Sequence, residues 1–245
     1  EADFTGCRPV AVTLRTIYGA QPQWGVAAAD VLVQGVSVGT TPGMLALYGS
    51  ADTIGRAGPV GEASDLLLQF ALPLNAVPVH IGKNVYASNL LNTLAYQDVD
   101  GLHVGKTAFA FDTDRQLAGY REENCFYTTA DGVRAGLEFY GASANGENAP
   151  LFRFAQEPAA LPETQNGTTL SIAFSPDGTD QLVYDAATAR YTKLNTDGTP
   201  LTDAETGETA QFTNVFVLYA SSGVKDDGHT RQYDLTGGDG LYLYG

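Results

Sequence analysis

All of the helical periodicity in this sequence falls before Gly141; from Ala142 onward the apolar residues alternate or run in short, strand-length pieces. That asymmetry rules out a helical bundle, and also a sheet wound evenly with helices from end to end. It predicts an α+β protein, with a mixed α/β subdomain over residues 1–145 and a β-rich, mainly antiparallel subdomain over residues 146–245. Ala142 to Pro150, small and polar, reads as the linker.

In the first part, Val10 to Leu14 and Val31 to Val38 read as strands. Met44 to Tyr48 is fully apolar, as in a central strand covered on both faces. Ala20 to Gly25 is a loop and Gly39 to Gly43 a turn. A helix over 62–72 would present Leu66, Leu67, Phe70 and Leu74, with Pro73 near its end. Asn84 caps a second helix carrying Tyr86, Leu90, Leu91 and Leu94. Thr128 or Thr129 caps a third, with Asp131 in its first turn and Val133, Gly136, Leu137 and Tyr140 on one face. Val77 to Ile81 and Ala108 to Phe111 read as strands between them.

In the second part, Leu170 to Phe174 alternates strictly. Gln181–Asp185 and Arg190–Leu194 form a hairpin around Ala186 to Ala189, with Tyr184 and Tyr191 near the turn. Val215 to Tyr219 is a further strand, and Gly237 to Gly240 turns the chain into Leu241 to Tyr244.

Composition then removes whole classes of function. With 44% hydrophobic residues, 13 tyrosines and 11 phenylalanines, the chain has the means to fold. A net charge of −15 argues against nucleic acid as a partner. No apolar run is long enough to span a membrane as a helix. Cys7 and Cys125 are the only cysteines, too few for a cysteine-based zinc site. They either pair, closing a long loop worth on the order of 4–5 kcal/mol in the chain-entropy model, or remain two separate thiols.

No motif stands for a reaction. His80, His103 and His229 lack metal-ligand spacing, and no G-x-S-x-G elbow occurs. Asn195 to Glu205 fails as a calcium loop, because Lys193 and Ala204 fall where ligands belong. Asp112 and Asp114 read as solvated turn carboxylates. The sequence therefore predicts no catalytic residues, no metal and no cofactor. The glycine-rich turn Gly55 to Gly61, between a strand and a helix, can point N–H groups at an anion, with Arg56 as the nearby cation. Its alternative is a purely structural turn. Trp24, the single tryptophan, either stacks a sugar or other planar ligand or packs against the sheet.

The segments together resemble the YerB-like lipoproteins, a bacterial family with a domain of unknown function. The resemblance rests on Arg8 to Val12, Pro22-Gln23 with Gly25, Ala29-Asp30, Gly58-Pro59-Val60, Val79-His80 with Gly82, and Asn124 with Tyr127-Thr128. It continues through Leu151 to Phe154, Tyr184-Asp185, Tyr191, Asp203 with Thr206-Gly207, and Asn214-Val215. It implies an exported protein, lipid-anchored outside the cytoplasmic membrane through a cysteine preceding Glu1, mainly in Gram-positive bacteria. It implies no reaction. The chain departs from the family pattern at Arg15-Thr16 (usually Asp-Asn), Gln21 (Arg), Gln34 (Glu), Gly61-Glu62 (an arginine-containing segment) and Glu123 (His). If those groups form the family's site, this chain has lost arginines and its histidine, which weakens an acid–base role.

The reading that follows is a non-enzymatic envelope module holding a small anionic or envelope ligand, or a protein partner. The alternative is a hydrolase or transferase acting on envelope glycan or peptide; a third reading is a scaffold. The expected ligand-binding residues are Arg56, Gly58, His80, Glu123, Asn124 and Trp24, gathered where the strands ending at His80 and near Gly49 both open.

Overall fold

The computed structural model describes residues 6–146, 167–175 and 178–244. Part of the expected linker, and the Leu151 to Phe154 segment, lie outside the described residues.

The first strands are β1 (Val10–Leu14), β2 (Val31–Val38), β3 (Thr41–Tyr48), β4 (Val77–His80) and β5 (Val99–Asp100). They form one sheet in the order β2-β3-β1-β4-β5. β1, β4 and β5 run parallel, whereas β3 is antiparallel to both β1 and β2. The end of β3 therefore lies at Val10, the start of β1, and not beside His80. The expected common opening of β3 and β4 is corrected accordingly: Gly49 and His80 sit at opposite ends of the sheet. β3 also begins at Thr41, inside the expected turn, because a two-residue reversal at Gly39-Thr40 suffices to pair it with β2.

Three helices arise where periodicity places them. α1 (Asp65–Ala71) is capped by Ser64, whose hydroxyl accepts from the Leu67 N–H, and is shorter than the 62–72 expected. The Ala63 N–H goes to the Gly82 carbonyl instead, and Leu72–Leu74, carrying Pro73, tightens into a 3₁₀ turn. α2 (Val85–Thr93) takes its cap from Asn84. Two short helices follow that periodicity does not show, α3 (Gly101–Val104) and α4 (Thr113–Leu117), capped by Asp100 and Asp112. The strand expected over 108–111 shrinks to β6 (Ala110–Phe111), which pairs with β7 (Phe126–Tyr127). α5 (Ala130–Phe139) is capped by Thr129 and buries Val133, Gly136 and Leu137.

The second part contains strands and no helix among the described residues. β8 (Thr169–Ser175), β9 (Gly178–Asp185), β10 (Arg190–Leu194) and β11 (Gln211–Phe212) form an antiparallel sheet. Tyr184 faces Tyr191 across the hairpin with ring centroids 5.1 Å apart. β12 (Asn214–Tyr219) pairs with β15 (Asp239–Tyr244), and β13 (Ser222–Val224) with β14 (Arg231–Tyr233). The fold is thus α+β, a mixed sheet with helices followed by antiparallel sheets.

The two parts share a core. Leu201 and Ala210 are buried in the same cluster as Val10, Tyr48, Ile54 and Val133. Polar ties reinforce this. The Ala204 N–H donates to the Gln23 carbonyl at 2.8 Å, and Lys225 pairs with the buried Asp65. The loop after β1 and the turn after β10 are therefore held side by side, which creates the main cleft.

Candidate functional site

A cleft of about 710 Å³ lies between the two parts, within the range of small-molecule sites. Three chain segments line it: the loop Ile17 to Gln23 after β1, the stretch Ala118 to Asn124 after α4, and the turn Asn195 to Thr202 after β10. None of the three is regular structure throughout, so side chains from elsewhere must fix them.

Arg115 supplies much of that fixation. Its guanidinium lies between two rings, 4.2 Å from the centroid of Trp24 and 4.3 Å from that of Tyr120. It donates to the Ala20 carbonyl at 2.5 Å and to the Pro22 carbonyl at 2.9 Å. Tyr120 donates its hydroxyl to the Gln21 carbonyl at 3.0 Å, and the Asn124 amide donates to the Gly19 carbonyl at 2.9 Å. α4 and the stretch after it thereby hold four consecutive carbonyls of the loop, those of residues 19 to 22.

The lining is polar but almost neutral. Arg121 and Asp197 are its charged side chains among the described residues, and Asp197 already accepts from the Thr199 N–H and hydroxyl. Those hydrogen bonds lower the Asp197 carboxyl below its ordinary range. Tyr18, 80% exposed, offers an aromatic face. Gln23 and Asn124 are 1% and 0% exposed, and the side-chain oxygen of each lacks a hydrogen-bond partner among the described residues. An unpartnered buried amide oxygen costs free energy, and both lie behind the cleft surface rather than on it.

The residues expected from sequence do not gather in one place. Asn124 lines the cleft. Trp24 is 4% exposed and packs beneath it against Arg115 and Tyr127. Glu123 is half-exposed and lies 3.9 Å from Arg121. Gly58 pairs with Trp24 through both main-chain groups, and a side chain there would meet the Phe126 carbonyl at 2.8 Å. Arg56 is held by Asp112 at 3.0 Å and Glu205 at 3.6 Å, and lies over the Tyr127 ring. Its charge is balanced within the protein. Sequence reasoning missed Arg115, Tyr120 and Gln23; a buried arginine with no sequence-adjacent partner gives no local signal.

His80 belongs to a separate, buried network at the carboxyl ends of β4 and β5. Its Nε2 meets Asp98 at 2.9 Å, and Nδ1 lies 3.9 Å from Asp100 without a hydrogen-bond partner among the described residues. Lys83 bridges the two carboxylates at 2.6 and 3.1 Å. Burial alone would raise Asp98, but the hydrogen bonds and charges of His80 and Lys83 override it and hold the carboxyl at about 2. His80, Asp98 and Asp100 place ligand atoms within 4.8 Å of one another, compact enough for a cation. The Lys83 ammonium already supplies positive charge between those carboxylates.

Cys125 is a buried thiol donating to the Arg121 carbonyl at 3.4 Å, so the Cys7–Cys125 bridge is not formed. Burial pushes that thiol up.

A second, smaller groove of about 200 Å³ lies at the carboxyl end of β1 and is joined to the cleft by Ile17, which lines both. Five of the seven positions at which the chain departs from the YerB-like pattern line these two surfaces, Arg15, Thr16, Gly61 and Glu62 on the groove and Gln21 on the cleft; Gln34 and Glu123 line neither.

Sequence comparison agrees with this architecture. Residues 1–143 match the family described as "Protein of unknown function (DUF3048) N-terminal domain", and residues 170–245 match its C-terminal domain. The chain belongs to this family. It is 27% identical to "Putative lipoprotein YerB" of Bacillus subtilis (strain 168) over 247 residues, covering 98% of this chain and 71% of the relative. The crystal structure of YerB protein from Bacillus subtilis superposes with a TM-score of 0.84 at 26% identity, covering 100% of this chain and 80% of that one. Among the described residues no helix is long and apolar enough to cross a membrane.

Proposed function

We propose that this protein is an exported, lipid-anchored module of the cell envelope that binds a hydroxyl-rich ligand, of the glycan class, in the cleft between the β1 loop and the β10 turn. The observation that carries the reading is a near-neutral cleft lined by amide side chains, among them Gln21 and Asn195, together with the exposed ring of Tyr18. Amides pair with sugar hydroxyls, and Tyr18 offers a face for the C–H side of a pyranose. A hydrolytic mechanism needs two titratable groups converging on one substrate atom. Arg121 and Asp197 are a poor pair for that role, since Asp197 is engaged by its own turn. The lipid anchor is proposed from the printed name of the relative.

Trp24 makes the test direct. It is the only tryptophan, and Arg115 couples its ring to the loop that lines the cleft. Titration with N-acetylglucosamine oligomers is expected to change its emission saturably at millimolar concentration, with Asn124→Leu abolishing the change. No saturable response in fluorescence or calorimetry would overturn the glycan reading. Incorporation of labelled palmitate into the cellular gene product tests the anchor; an unlabelled product retained in the cytoplasm would overturn it.

A further inference from the structure

Arg15, the first residue after β1, is the main feature of the smaller groove. It is partly buried, its Nε is buried without a partner, and its guanidinium makes no hydrogen bond or ion pair among the described residues. Arg56, Arg134, Lys83, Lys193 and Lys225 by contrast each hold at least one carboxylate, and Arg115, which holds none, is engaged by main-chain carbonyls and two rings. A guanidinium whose Nε is buried without a counter-ion is partly desolvated at a cost, and its planar fork of donors matches a carboxylate.

The rest of the groove suits an acid. Ser64 contributes a hydroxyl whose oxygen accepts from the Leu67 N–H, so its own proton is available to donate. Asn84 accepts from the Ala87 N–H through Oδ1, and its NH₂ makes no hydrogen bond among the described residues. Glu62 is the one carboxylate lining the groove among the described residues; it is exposed, where solvent screens it, and does not pair with Arg15. The groove opens at the carboxyl end of β1, where open sheets containing parallel strands collect ligands.

We infer that the Arg15 groove is a carboxylate-binding subsite, and that the glycan held in the cleft carries an acidic substituent reaching across Ile17 to it. This rests on the cleft reading for the sugar but not for the acid, and two measurements separate them. In the first, the Arg15 Nε–H resonance, assigned by its loss in Arg15→Gln, is followed during titration with D-lactate. A saturable shift that chloride at equal ionic strength does not reproduce is expected. A linear drift, or the same response to chloride, overturns the subsite. In the second, N-acetylmuramic acid is compared with N-acetylglucosamine, which has a free 3-hydroxyl in place of the 3-O-lactyl ether and so lacks its carboxylate. The wild-type chain is expected to prefer the acid by about tenfold, the scale of one charge-assisted hydrogen bond. Arg15→Gln should erase the preference while leaving affinity for the neutral sugar unchanged, and Arg15→Lys should keep part of it. Equal affinity of the wild-type chain for both sugars overturns the acidic ligand and leaves the cleft standing. A saturable lactate response with binding of neither sugar supports the subsite and defeats the glycan reading.

Discussion

Gln23 donates its side-chain amide to the Arg15 main-chain carbonyl at 3.1 Å, and this one hydrogen bond joins the wall of the cleft to the base of the groove. The Gln23 carbonyl in turn accepts from Ala204, so a single buried residue ties the β1 loop to both the sheet and the second part of the chain. Gln23→Ala leaves the Arg15 carbonyl without its donor and opens a cavity. It is expected to cost about 2 kcal/mol in denaturant unfolding and to weaken ligand binding in parallel.

Arg115 organises the loop through geometry as well as charge. Arg115→Lys keeps the cation but loses the fork that reaches two carbonyls and the plane that stacks on two rings. A loss of about 2–3 kcal/mol is expected for Lys, close to that for Ala, with Trp24 emission shifted to longer wavelength. Near-complete rescue by Lys would refute this account.

Asp98 should make stability depend on acid. Its folded-state pKa of about 2 lies below the ordinary 3.8, so its contribution is complete above about pH 4 and is lost as pH falls through 2. Integrated, the difference is about 2 kcal/mol. Unfolding free energies measured between pH 2 and 5 should show this slope in the wild-type chain and a shallower one in Asp98→Asn.

Gly132 lies inside α5, where helix propensity alone favours alanine by about 1 kcal/mol. A Cβ there would meet the Ala108 carbonyl oxygen at 2.4 Å. Gly132→Ala is therefore expected to destabilise by about 1–3 kcal/mol. A rise in melting temperature would contradict the packing.

Cys125 is expected to react slowly with thiol reagents in the native state, because burial raises its pKa and hides its sulfur. Rapid labelling of Cys125, located by peptide mapping under native conditions, would show that the α4–α5 segment opens readily.

The sequence by itself determined the local elements. Asn84 and Thr129 cap helices because a side-chain oxygen three residues ahead of a free N–H is a purely local device. The β9–β10 hairpin follows from alternation and a short turn, and α5 from one apolar face. Strand direction was different: nothing local states that β3 runs against β1 while β4 runs with it, and so the ends of β3 and β4 were misplaced. The site was decided by tertiary structure alone. Its second and third segments lie about 100 and about 180 residues beyond the first along the chain, and Arg115 reaches carbonyls 93 and 95 residues away. Charge was settled the same way. Arg56 and Arg15 look alike in a sequence, but folding brings Asp112 and Glu205 to the first and no carboxylate partner among the described residues to the second. Periodicity reports which face of an element is buried; only the packed chain decides which distant group meets it, because that depends on relative positions that no short window of residues encodes.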